Sequence, residues 1–102
     1  MANFGSDRQK RSIGPEEAEA LALRGLVFLA EEPDRIEPFL SLSGLSPADL
    51  RPAANQPAFL GAILDHILSD DTLILAFCKL ERLTPELLVR ARAKLPGAPI
   101  YD

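Results

Sequence analysis

Residues 57–68 have the sequence PAFLGAILDHIL, and this stretch indicates the fold class of the whole chain. Its apolar side chains recur with the period of an α-helix that buries one face. Gln56 followed by proline is typical of a helix start, because a proline is well tolerated at the first helical position. The apolar positions are Phe59, Leu60, Ile63, Leu64, Ile67 and Leu68. The stretch therefore predicts an amphipathic helix.

Similar signals on both sides of this stretch predict about six short helices in all. No segment shows the sustained alternation of apolar and polar residues that is typical of a half-buried strand. We therefore predict an all-α fold, a compact bundle of helices. The helices are expected at 15–30, at about 34–42, from Pro47 to near Pro52, from Pro57, after a cap at Asp70 or Asp71, and after a cap at Thr84.

The chain also matches itself at an offset of 38 residues. The match predicts a duplicated three-helix unit, with repeats at about 15–52 and 53–95. A unit of that length buries its apolar face poorly alone, so the two would pack together. A chance match between leucine-rich helices is the alternative. The aligned pairs include Phe39 with Phe77, Leu42 with Leu80, Ser46 with Thr84, and Pro47 with Pro85.

Length and composition place one helical domain between two tails. The chain has 102 residues, of which 47% are hydrophobic and 25% charged, as is ordinary for a single globular domain. Residues 1–14 are polar and basic, and we predict a disordered tail there. Residues 96–102 hold two prolines and a glycine, which predict a flexible C-terminal end. The helical domain is expected at 15–95.

Charge and apolar runs exclude several classes of function. The formal net charge is −4, with the acids concentrated in the middle of the chain, so we expect no nucleic-acid partner. No apolar run is long enough for a membrane span or a secretory signal, so we expect no membrane association. Cys78 is the single cysteine, so no intramolecular disulfide can form, and we predict a cytoplasmic protein.

Few residues suggest chemistry. His66 is the only histidine and has Asp65 and Asp70 nearby, so it is either a proton shuttle or, as we favour, a surface histidine beside acids. Cys78 is expected to be a buried small hydrophobe; a Cys–His pair would require two helices to bring it to His66. The sequence contains no P-loop, GxGxxG or HExxH motif. We therefore predict no enzymatic activity, no catalytic residue, no cofactor and no metal.

Two charged groups have ordinary structural interpretations. The acids near the first two helices could form a metal or glycosidase site, but a solvated acidic face is the favoured interpretation. The cations at the end of the last helix offset the negative end of its dipole, with contact to an anion, a nucleic acid or an acidic partner as the alternative. The acids are Glu16, Glu17, Glu19, Glu31, Glu32, Asp34 and Glu37, and the cations are Arg90, Arg92 and Lys94.

The first helix is apolar on two sides. One apolar side of this helix is expected to face the core. The opposite side of the helix is apolar as well. Such a helix is either central and covered on both sides, or it presents a surface for self-association or a protein partner. The candidate interaction surface consists of Ala20, Leu23, Val27 and Ala30.

Three stretches resemble a family of short, all-helical bacterial proteins of unknown function. They are EAEALALRGLVFLA at 17–30, FLSLSGLSPADLR at 39–51, and PAFLGAILDHIL at 57–68, of which the middle one is the most specific. The resemblance implies an all-α fold and a bacterial origin. It implies no activity, cofactor or catalytic residue.

These observations leave the function unknown and favour one hypothesis. The leading one is a non-enzymatic helical module that binds another protein or itself. The alternative is a regulatory domain that binds a small ligand in a groove between the two helical repeats. A third is an enzyme whose His66, Cys78 or acids are brought together by folding.

Overall fold

The computed structural model describes residues 13–97, which form an all-helical domain. A 3₁₀ turn, Pro47–Asp49, precedes the short helix Leu50–Ala53, and residues 13–97 contain no strand. The predicted fold class is confirmed. Residues 1–12 and 98–102, where most of the two predicted tails fall, lie outside the described part. The helices are α1 (Pro15–Ala30), α2 (Pro33–Ser43), α3 (Leu50–Ala53), α4 (Pro57–Leu68), α5 (Asp71–Glu81) and α6 (Pro85–Ala93).

Side-chain caps lie at three of the helix starts that the sequence predicted. Asp70 accepts two backbone N–H bonds at the start of α5, at 2.8 and 3.3 Å, and Thr84 accepts one at the start of α6, at 3.2 Å. Before α3, the Asp49 carboxylate accepts the backbone N–H of Ser46 at 2.9 Å, as in a capping box. Bonds from the Ser46 backbone and then its hydroxyl lower the pKa of Asp49.

The core lies where α4 packs against α1, α5 and α6. Gly25 allows the close approach of α1, because a Cβ there would lie 3.0 Å from the Ile67 side chain. The core extends beyond the helices, since Ile13 and Leu95 are also buried. The largest fully buried side chains are Leu29, Ile63, Leu64, Ile67, Phe77 and Leu88.

Helix ends recur at the offset of 38 residues. Both α2 and α5 are followed by a residue in the left-handed conformation, Gly44 (φ 76°) and Arg82 (φ 58°). The third elements differ in burial: Leu88 of α6 is in the core, and its counterpart Leu50 is only half-buried. The duplication itself stays a prediction. The last residues that coincide at this offset are Ala30 with Leu68 and Ser43 with Glu81. The first residues that coincide are Pro33 with Asp71 and Pro47 with Pro85.

Candidate functional site

The outer face of α1 is exposed and apolar. The four residues predicted as an interaction surface, Ala20, Leu23, Val27 and Ala30, all lie on this face, and we call them the α1 stripe. Leu23 is 42% exposed and Val27 is 59% exposed. The interpretation in which α1 is covered on both sides is therefore wrong within the monomer. The buried residues of α1 lie on the opposite face and are Ala18, Leu21, Ala22, Gly25, Phe28 and Leu29.

Carboxylates bound the α1 stripe at both ends. Glu16 lies one helical turn before Ala20, and Glu31 lies one turn after Val27; both are exposed. The cation beside the stripe is Arg24, whose Nε donates to Glu81 Oε1 on α5 at 2.8 Å. The stripe is thus apolar along its length and negative at each end.

A groove runs between α2 and α4, and we call it the α2–α4 groove. Its volume is about 290 Å³. Phe39 is buried beneath it, whereas Leu42 is 80% exposed. Because α2 and α4 belong to different predicted repeats, the groove lies where the ligand-binding alternative places one. Its lining residues are Phe39, Leu42, Ser43, Ala62, Asp65, His66 and Ser69.

His66 separates this groove from a second cleft. Its ring packs edge-on against Phe39, with 5.2 Å between centroids. The residue is half-buried, so the interpretation as a surface histidine was only partly right. Burial lowers the pKa of the imidazole, and the charge of Asp70 opposes that shift. The second cleft, of about 160 Å³, is lined by Asp34, Arg35, Pro38, His66, Ser69, Asp70 and Leu73.

Cys78 is buried on α5, which confirms the prediction of a small buried hydrophobe. Burial raises the pKa of its thiol, and the charge of Glu86 raises it further. A thiol in this state is a poor nucleophile, because the thiolate is the reactive form. Between residues 13 and 97, no three His, Cys, Asp or Glu residues are grouped so that they could hold a metal ion.

An ion pair that the sequence pattern did not predict joins α4 to α6. The Arg92 guanidinium donates to both carboxylate oxygens of Asp65, at 2.6 and 3.0 Å. The Arg92 side chain is 6% exposed and that of Asp65 is 38% exposed. Gly61 makes room for the Arg92 guanidinium, since a Cβ at position 61 would lie 2.8 Å from Arg92 Nη1.

Arg92 also holds the chain that follows α6. It donates to the carbonyl oxygens of Leu95, Pro96 and Gly97, at 3.3, 3.3 and 2.6 Å. The sequence predicted only that Arg92 offsets the negative end of the helix dipole; Arg92 is in fact buried and paired with Asp65, whereas Arg90 and Lys94 are exposed. The available signal was its spacing from Leu88 and Leu95, which puts Arg92 on the apolar face of α6.

The span of the helical domain coincides with a known sequence family. A model of the family described as "Protein of unknown function (DUF3572)" matches residues 15–98. No curated protein and no solved structure matches the chain. No helix in the described range is both long and apolar enough to cross a membrane.

Proposed function

Because the chain belongs to the DUF3572 family, whose function is unknown, we propose a function from the surface geometry: a helical protein-interaction module that binds through the α1 stripe. The observation that carries the proposal is an exposed apolar face on the longest helix, directly opposite its buried face. Burial of the exposed parts of Leu23 and Val27 by a partner would contribute about 1 kcal/mol each to the free energy of binding. Contiguous exposed apolar surface of this kind is typical of interaction sites.

The proposed role is non-enzymatic. The two side chains best suited to acid–base or nucleophilic work have structural surroundings instead. His66 packs against the ring of Phe39, and Cys78 is buried with a raised pKa. We place the module in the cytoplasm, since a free buried cysteine suits a reducing compartment.

Replacing Val27 by aspartate is expected to abolish association while the domain stays folded. A charge on the stripe would have to be desolvated in the complex, which costs more than the contact contributes. The measurement is capture of the tagged chain from its native cell extract with quantitative mass spectrometry, together with sedimentation velocity. We expect the associated protein, or the self-associated species, to fall at least tenfold, equivalent to about 1.4 kcal/mol.

Val89→Asp is the matched control, because Val89 on α6 is 54% exposed and Val27 is 59% exposed. Val89→Asp should leave association unchanged, and both variants should melt close to the native temperature, since surface changes are usually within about 0.5 kcal/mol. If Val27→Asp instead unfolds the chain, the outer face of α1 supports the fold, and the proposal loses its basis.

A second candidate function rests on the α2–α4 groove. The groove has an apolar floor at Phe39 and polar groups at His66 and Ser69, which together suit a small, mostly apolar ligand with one hydrogen-bonding group. Its volume of about 290 Å³ is near the lower end of ligand pockets, which start at about 300 Å³. This candidate is a regulatory domain controlled by that ligand.

The groove predicts a saturable rise in melting temperature with a bound ligand. A library of small aromatic and aliphatic molecules would be tested by thermal denaturation, because a ligand at about 100 times its Kd stabilises the native state by roughly 2.7 kcal/mol. Ala62→Trp should fill the groove and remove the effect. Ala58→Trp, on an exposed position of the same helix, should retain it. A library without any saturable hit contradicts this candidate.

A further inference from the structure

The α1 stripe is an apolar surface with a carboxylate at each end, and this layout selects its occupant. Building on the proposed function, we propose that the stripe binds a cationic amphipathic helix of a partner protein. The apolar face of that helix covers Leu23 and Val27, and a lysine or arginine near each of its ends contacts Glu16 and Glu31.

The spacing of the acids sets the spacing of the cations. Glu16, Ala20, Leu23, Val27 and Glu31 follow one another at three or four residues, so they lie along one face of α1. At 1.5 Å per residue, the two ends are about 22 Å apart along the axis. A partner helix that satisfies both carboxylates therefore carries cations about four turns apart, with apolar residues between them.

The two carboxylates that bound the stripe are not paired within the described part of the chain. Glu16 and Glu31 are exposed, and neither forms an ion pair with another residue of the 13–97 range. Arg24 is the cation nearest in sequence to the middle of the stripe, and its guanidinium is held by Glu81 at 2.8 Å. The stripe therefore presents net negative charge to any helix that approaches it.

The same charges disfavour a second copy of this chain as the occupant. Two copies related by a two-fold axis present the same face to each other. Paired in parallel, Glu16 would meet Glu16 and Glu31 would meet Glu31. Paired in antiparallel fashion about the middle of the stripe, each Glu16 would lie near Glu31. Both arrangements place carboxylates against carboxylates, and like charges across an interface oppose association.

The test uses a synthetic probe whose charge can be inverted. The probe is a fluorescein-labelled helical peptide of 18 residues with leucine and alanine on one face and lysines near both ends; its counterpart has glutamate for lysine. Fluorescence anisotropy measures both against the full-length chain. We expect the lysine peptide to bind at least tenfold more tightly than the glutamate peptide. Val27→Asp should remove that binding, and Val89→Asp should not.

Charge reversal provides the decisive comparison. The double variant Glu16→Lys, Glu31→Lys should reverse the preference between the two peptides. The control double variant, Glu37→Lys with Glu86→Lys, changes the net charge equally at exposed positions outside the stripe, and should keep the preference. If both double variants weaken binding of the lysine peptide equally, the attraction is to net charge and the proposal is overturned.

Other occupants give distinguishable results, each of which overturns the proposal. A dimer in sedimentation that Val27→Asp dissociates makes a second copy the occupant. A peptide of residues 1–12 that displaces the probe at equal or lower concentration makes the chain's own N-terminal segment the occupant. If a partner captured from the extract requires Val27 but neither Glu16 nor Glu31, the proposal that the partner is cationic is overturned. The proposed interaction module is then unaffected. A partner unaffected by Val27→Asp overturns the proposed function as well.

Discussion

Arg92→Leu is expected to destabilise the domain by about 3 kcal/mol, the lower end of the range for breaking a buried ion pair. The change removes both bonds to Asp65 and the bonds to the carbonyl oxygens of Leu95, Pro96 and Gly97. Leucine cannot satisfy any of these acceptors. The lower end applies because the Asp65 side chain is 38% exposed and water can partly solvate its carboxylate.

Urea denaturation followed by circular dichroism measures this loss as a lower midpoint at an unchanged m-value. Arg90→Leu is the matched control on the same helix, since Arg90 is exposed, and it should change stability by no more than about 0.5 kcal/mol. The double variant Asp65→Leu, Arg92→Leu should recover part of the loss, because no buried charge is left unpaired. A cost below about 1 kcal/mol for Arg92→Leu would show that the pair is not structurally important.

Phe77→Ala is expected to destabilise the domain by about 4 kcal/mol, within the range for removal of a fully buried aromatic ring. Phe77 is fully buried, and its ring lies 5.2 Å from that of Phe28 across the contact between α1 and α5. The loss combines the transfer free energy of the ring with the cavity that remains. In thermal denaturation it should lower Tm by roughly 15–25 °C.

Phe39→Ala tests whether the counterpart in the other predicted repeat is equivalent. The Phe39 ring packs against Phe59 and His66 at 5.6 and 5.2 Å and borders the open α2–α4 groove. Solvent and neighbouring side chains can fill the space that it leaves, so we expect a loss about half that of Phe77→Ala. A larger loss for Phe39→Ala than for Phe77→Ala would contradict this account of the core.

The stripe and the groove are formed by different helices, so the two proposed functions can be tested separately. Val27→Asp alters α1 and leaves the lining of the groove intact, and Ala62→Trp fills the groove on α4 without touching the stripe. A protein that loses its partner through the first change and its ligand through the second would use both sites. An effect of Ala62→Trp on partner binding would indicate coupling between the two sites.

Local features of the chain were predictable because their causes lie within a few residues. Helical periodicity and the caps at Ser46, Asp70 and Thr84 depend on neighbouring groups along the chain. The sequence also indicated that Leu23 and Val27 form an apolar face on the first helix. It left open whether that face is covered, because covering depends on elements distant in the chain.

Tertiary structure decided which faces meet. Asp65 and Arg92 are 27 residues apart in the chain. In the sequence each resembles an ordinary surface charge, and they form a pair only because α4 packs against α6. His66 likewise became half-buried because α2 brought Phe39 against it. Hydrogen bonds within a helix are encoded by adjacent residues, whereas contacts between helices depend on the crossing and register of whole elements. The sequence by itself therefore determined the helices and the apolar face of α1, and only their packing decided that this face remains exposed.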